Sequence, residues 1–179
     1  MITVLLADGF EEIEALTPVD MLRRAGKKVV TVGITGKTVT GAHGIPVIAD
    51  CEPKDLPHGK IECLILPGGM PGTKNLDESP ETDALINRTL SDGGRLAAIC
   101  AAPSVLGKRG LLRGKKATCY PSFERFLEGA TASTEKVVTD ENVTTSRGAG
   151  TAMDFALELV SLLVSPEKSE ELGAGVIFG

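Results

Sequence analysis

The chain has 179 residues, 42% of them hydrophobic, which is enough to bury the core of one domain running from residue 1 to 179. Its 24 acidic residues outnumber 19 basic ones, and the basic residues fall in scattered pairs (Arg23-Arg24, Lys27-Lys28, Lys115-Lys116), so electrostatic capture of nucleic acid or of an anionic membrane is disfavoured. No run reaches the roughly 18 consecutive apolar residues of a membrane span. The opening "MITVLLADG" lacks a basic start and a cleavage site, and Cys51, Cys63, Cys100 and Cys119 show neither zinc-ligand nor disulfide spacing, so a cytoplasmic protein with free thiols is expected.

Ile2 to Asp8 is a near-continuous apolar run of strand length, suited to a strand buried on both faces of a parallel sheet. Glu11 to Ala25 follows with Ile13, Leu16, Val19 and Leu22 three apart, acids in its first turn, arginines in its last and Gly26 beyond, which are helix start and stop signals. Pro18 within it predicts a kink or a late restart. "KKVVTVGI" reads as a second strand, "KTVTGAHGIPVIAD" as a hairpin excursion, and "IECLILPGG" as another buried strand ending in a glycine turn. "PETDALINRTLSDGG" gives a helix, "RLAAIC" a strand, "APSVLGKRG" a helix and "KKATCY" a strand. A short "PSFERFLEG" helix, the strands "KVVTD" and "NVTTS", and an amphipathic helix from about Thr151 to Val164 complete the series. This alternation predicts a three-layer α/β/α sandwich with a mainly parallel sheet.

Ligands in such sheets collect where strands end and helices begin. Three junctions qualify. "LLADGFEEIE" offers a carboxylate from Glu11, Glu12 or Glu14, "LILPGGMPG" offers the amides of Gly68 and Gly69, and "AAICAAPS" offers the Cys100 thiol. Cysteine at a helix N-terminus is expected to have a lowered pKa, and the small residues Ala97, Ala98, Ala101 and Ala102 permit the tight turn of a nucleophile elbow. Cys51, Cys63 and Cys119 read as inert core thiols. "SRGAGT" lacks the third glycine of a dinucleotide fingerprint, which leaves Arg147 to brace the site or a subunit contact.

"GFEEIEALTPVDMLRRAG", "LILPGGMPGTKNL", "AAICAAPSVL" and "TSRGAGTAMDFALELV" together resemble the ThiJ/PfpI superfamily, and within it the DJ-one subgroup of the parkinsonism-associated deglycase and its bacterial relatives. The resemblance covers about Ile2 to Val164. It implies a flavodoxin-like fold related to class I glutamine amidotransferases, a homodimer, and no metal or organic cofactor. It places the nucleophile at Cys100, its partner acid at Glu14 and the oxyanion donors on the backbone of Gly69 and Ala101. Arg24 and His43 fall where relatives form dimer contacts. The activity implied is that of a glyoxalase or deglycase acting on methylglyoxal or early glycation adducts in carbonyl and oxidative stress defence. A redox sensor or chaperone with an oxidisable Cys100 is the alternative. One departure is Tyr120, in "ATCYP", where some members carry histidine. Tyr120 either lines the pocket or packs. The only histidines, His43 and His58, lie in the hairpin and a polar loop, so a cysteine protease triad is poorly supported.

Overall fold

A computed structural model describes residues 1–179. Its first strand, β1 (Ile2–Leu6), is buried along its whole length and leads into α1 (Glu12–Arg24). Then come β2 (Val29–Gly33), the antiparallel hairpin of β3 (Thr38–Thr40) and β4 (Pro46–Ile48), and β5 (Cys63–Leu66). After α2 (Gly72–Glu78) and α3 (Pro80–Ser91) the chain makes β6 (Arg95–Ile99), α4 (Pro103–Lys108) and β7 (Lys116–Thr118). It ends with β8 (Thr131–Ser133), β9 (Val137–Asp140), β10 (Val143–Ser146), α5 (Ala152–Leu163) and α6 (Pro166–Gly175).

Six strands form the central sheet in the order β2-β1-β5-β6-β10-β9, with every pairing parallel except β9 against β10. Alternate side chains of these strands enter two separate cores, as the two-residue period of a strand requires. Ile2, Val4, Leu6, Ile65 and Ile99 join Val19, Leu22, Phe155 and Leu159 under α1 and α5. Leu5, Leu64, Leu66 and Leu96 join Ile86, Val105 and Leu106 under α3 and α4 on the other face. The result is the expected three layers. Each fully buried Leu or Ile contributes about 1.5–3 kcal/mol to holding them together.

The structure departs from the sequence reading at several elements. α1 runs unbroken through Pro18, with no late restart. "PSFERFLEG" supplies only a single 3-10 turn at Glu124–Phe126. β7 pairs with β8 in a separate ribbon and reaches the main sheet through the Thr118 amide, which donates to Thr145 Oγ1 at 2.9 Å, so a side chain stands where a strand ladder was expected. Two helices, α2 and α6, carried no expectation. No helix of the chain is long and apolar enough to cross a membrane.

Candidate active site

β1, β5 and β6 are adjacent parallel strands, so the turns that follow them meet at one end of the sheet. Cys100 directly follows β6 and adopts φ 65°, the left-handed region that a side chain pays to enter. Two hydrogen bonds fix it there: its amide donates to the Ser146 carbonyl at 3.0 Å, and its carbonyl accepts from the Tyr120 amide at 2.8 Å. Ala101 and Ala102 are buried behind it. This is the nucleophile elbow that the small flanking residues permit.

Glu14 sits in the first turn of α1 with 1% of its surface exposed. Its Oε2 accepts the Gly68 amide at 2.9 Å, and its carboxyl lies beside the Cys100 side chain, close enough for the two groups to act on each other's ionisation. Burial pushes the carboxyl up to about 7, against the opposing pull of the bonds from Cys100 and Gly68, and the nearby Glu11 charge adds to the rise. Gly68 makes this approach possible. A Cβ there would stand 2.6 Å from both the Cys100 Cβ and Glu14 Oε2. Gly69, at φ 87°, turns the chain so that its amide, with that of Ala101, lies toward the Cys100 sulfur and favours its anion. Gly68 therefore serves the carboxyl, and only Gly69 and Ala101 serve the sulfur, which corrects the expectation that both glycine amides act as oxyanion donors.

The lowered thiol pKa expected from a helix dipole is likewise not met. α4 has only 6 residues and begins at Pro103, beyond the sulfur. While Glu14 is ionised, burial, the like charge and the bond to that carboxylate push the thiol up to about 12, outweighing the Gly69 and Ala101 amides. With the proton on Glu14 the like charge is gone and the carboxyl becomes a third donor to the sulfur. Between about 7 and about 12 the two groups thus hold one proton and one negative charge between them.

The remaining candidates separate. Tyr120 is half exposed at the mouth of the site, and Arg147 follows the end of β10 beside it. Arg24 pairs with Asp20 at 2.8 Å on the outer face of α1. His43, at the hairpin tip, places Nδ1 2.9 Å from Glu12 Oε2, and its amide donates to Glu12 Oε1 at 2.9 Å. That bond, then the charges of Glu11 and Glu12, raises the His43 pKa. Burial alone would raise Glu12, but its bonds from His43 and the backbone outweigh this and hold it low. Glu11, Glu12 and His43 bring ligand-type atoms within 4.8 Å of one another, yet Glu12 and His43 are already satisfied by each other. Sequence reasoning missed the role of Glu12, which ties the hairpin to α1. The signal was there in "EEIE", where three acids crowd one turn. Cys63 and Cys119 are fully buried, and burial pushes them up to about 12 and about 11.

A thiol on a strained elbow, with a buried protonatable carboxyl and two amides around it at the carboxyl edge of a doubly wound sheet, defines a cysteine-centred protein of the flavodoxin-like class. A model of the DJ-1/PfpI family matches residues 1–162, and the chain belongs to that family. It is 38% identical to protein dj-1beta of Drosophila melanogaster over 177 residues, covering 97% of this chain and 95% of that one. It is 36% identical over 164 residues to the glutathione-independent glyoxalase DJR-1.2 of Caenorhabditis elegans, covering 90% and 87% respectively. The solved structure of oxidized Toxoplasma gondii DJ-1 superposes with a TM-score of 0.93 at 33% identity, covering 100% of both chains.

Proposed function

We propose that the chain is a cofactor-independent cysteine enzyme for reactive 1,2-dicarbonyls or the early glycation adducts they form, of the glyoxalase or deglycase type. The observation that carries this reading is the buried Glu14 carboxyl beside the Cys100 side chain, with a pKa near 7 and no histidine in the site. The glyoxalase name of the nematode relative supports it.

The chemistry balances with these groups alone. The Cys100 thiolate adds to the aldehyde carbon of methylglyoxal, and the oxyanion that forms, facing the Gly69 and Ala101 amides, takes the proton that Glu14 carried, which gives a neutral hemithioacetal and an ionised Glu14. Ionised Glu14 then removes the hydrogen on that carbon as a proton and returns it to the neighbouring carbon, while the hydroxyl proton passes to the former ketone oxygen, which leaves a lactoyl thioester. Water releases lactate and restores the thiol. A carboxyl with a pKa near 7 gives and takes a proton equally well at neutral pH. Lactate formed from methylglyoxal should be lost in Cys100→Ala, and equal rates in the two proteins would end this reading.

A sulfinate sensor is the second reading, supported by the donors that surround the sulfur and by a relative solved in an oxidized form. Hydrogen peroxide should then add two oxygens to Cys100 and to no other cysteine, read by peptide mass. The exposed Ile13 and Leu16 of α1 and Ile45 and Ile48 of the hairpin support a homodimer through that face. Light scattering should give twice 18.7 kDa, and a monomer mass at micromolar concentration refutes it.

A further inference from the structure

We propose that Arg147 anchors a carboxylate on the substrate, so that the site is built for 1,2-dicarbonyls carrying a carboxylate at the end remote from the aldehyde. This inference rests on the dicarbonyl reading above and narrows its substrate class.

Arg147 is partly buried, its Nη1 is fully buried, and that atom has no hydrogen-bond partner. No acid of the chain pairs with its guanidinium. Arg109, also partly buried, is by contrast saturated by Asp77 and Asp83 at 2.7 and 2.6 Å. An unsatisfied buried donor lowers stability, and a charged one does so more; among the arginines, Arg95 Nε is open as well, but Arg95 is bonded through Nη2 to the Glu141 carbonyl, whereas no bond holds the Arg147 side chain.

Arg147 lines a cavity of about 340 Å³ with Tyr120, Pro121, Gly148 and Ala149. The lining of this cavity is tied to the Cys100 backbone. Ser146, directly before Arg147, accepts the Cys100 amide, and the Tyr120 amide donates to the Cys100 carbonyl. A Cβ on Gly148 would lie 3.3 Å from the Tyr120 ring and 3.9 Å from Glu14 Oε1, so Gly148 stands between the phenol and the carboxyl. Ala149 and Gly150 also line the cavity, in the single 3-10 turn Ala149–Thr151 that leads into α5. Arg147 thus brings to the cavity a forked cation, the donor geometry that fits a carboxylate. A neutral dicarbonyl such as methylglyoxal has no use for it.

4,5-Dioxopentanoate has the required form. The thiolate adds to its aldehyde, Glu14 moves the proton to the adjacent carbon, and water releases 2-hydroxyglutarate; the aldehyde carbon is oxidised as its neighbour is reduced, and the carboxylate on Arg147 is a spectator. The test compares the full chain with Arg147→Gln and Arg147→Lys. The ratio of kcat/KM for 4,5-dioxopentanoate to that for methylglyoxal should fall at least tenfold in the Gln variant and recover in part in the Lys variant. An unchanged ratio overturns the proposal. Tyr120 is the single tyrosine and the chain has no tryptophan, so tyrosine fluorescence reports this cavity directly. Glutarate should change it saturably in the wild type and not in Arg147→Gln. If the wild type turns over neither dicarbonyl, the dicarbonyl reading falls and the glutarate titration alone decides, with no saturable change in the wild type sinking the anchor.

Discussion

Replacing Glu14 with Leu removes the carboxyl while keeping most of its bulk, and it separates the two ways this residue could act on Cys100. In the wild type the pair loses its first proton at about 7, and whatever fraction of the resulting charge rests on sulfur appears at that pH. In Glu14→Leu the sulfur must ionise alone. Burial, the largest influence on the thiol, remains, and only the Gly69 and Ala101 amides oppose it. The thiol should then ionise at or above the ordinary value of about 8.5, at least about one and a half pH units later and about 2 kcal/mol harder than in the wild type. The assay is the rate of iodoacetamide alkylation of Cys100 against pH, with Cys51, Cys63 and Cys119 replaced by Ser. A wild-type inflection near 7 that moves upward in the mutant is the expected result. An inflection that stays or moves downward means that Glu14 acts only as a like charge restraining the thiolate, and the shared proton must be abandoned.

Three further outcomes are expected. In the unsubstituted chain, peptide mapping near neutral pH should find Cys100 alkylated before Cys51, Cys63 and Cys119, since it is the one cysteine that is not buried; earlier labelling of another sulfur removes the assignment. Gly68→Ala forces a methyl within 2.6 Å of both Cys100 and Glu14, so stability should drop by about 1–3 kcal/mol and the alkylation profile should shift; unchanged melting and alkylation contradict the close approach. Folded Glu14 keeps its proton up to about 7 and unfolded Glu only to about 4.3, so between these values the folded chain binds the extra proton and this residue's contribution to stability falls as pH rises, by about 4 kcal/mol in all. Glu14→Gln should remove that slope, and denaturant melts at pH 5 and pH 8 giving parallel losses in both proteins would show the carboxyl ionises normally.

The sheet was legible because its strands are buried on both faces and therefore read as continuous apolar runs: "ITVLL", "CLIL" and "LAAI" are all within the core. The two missed helices lack the apolar period that announces a helix. α2 opens on Gly72 and buries Leu76 as its one large apolar side chain, and α6 buries only Gly173. β7 reads as a strand and is one, but a sequence does not say which partner a strand takes. Its three residues are too few to carry that choice, which falls to a threonine hydroxyl.

The site was legible to the extent that topology does the assembling. Once β1, β5 and β6 are known to be parallel neighbours, Glu14, Gly68-Gly69 and Cys100 must converge, because each lies in the segment just after its strand. What the sequence could not give is the sign of the electrostatics. A helix dipole was expected to ionise Cys100, yet the short α4 starts too late, and burial drives the thiol the other way. The anion therefore has to be shared. Glu14, buried enough to hold a proton near neutral pH, replaces the missing dipole by donating to sulfur, and the absence of a side chain at Gly68 is what lets the carboxyl come that close. The strained φ of Cys100 belongs to the same arrangement, since a relaxed backbone would not place the sulfur between the Gly69 and Ala101 amides and the carboxyl at once.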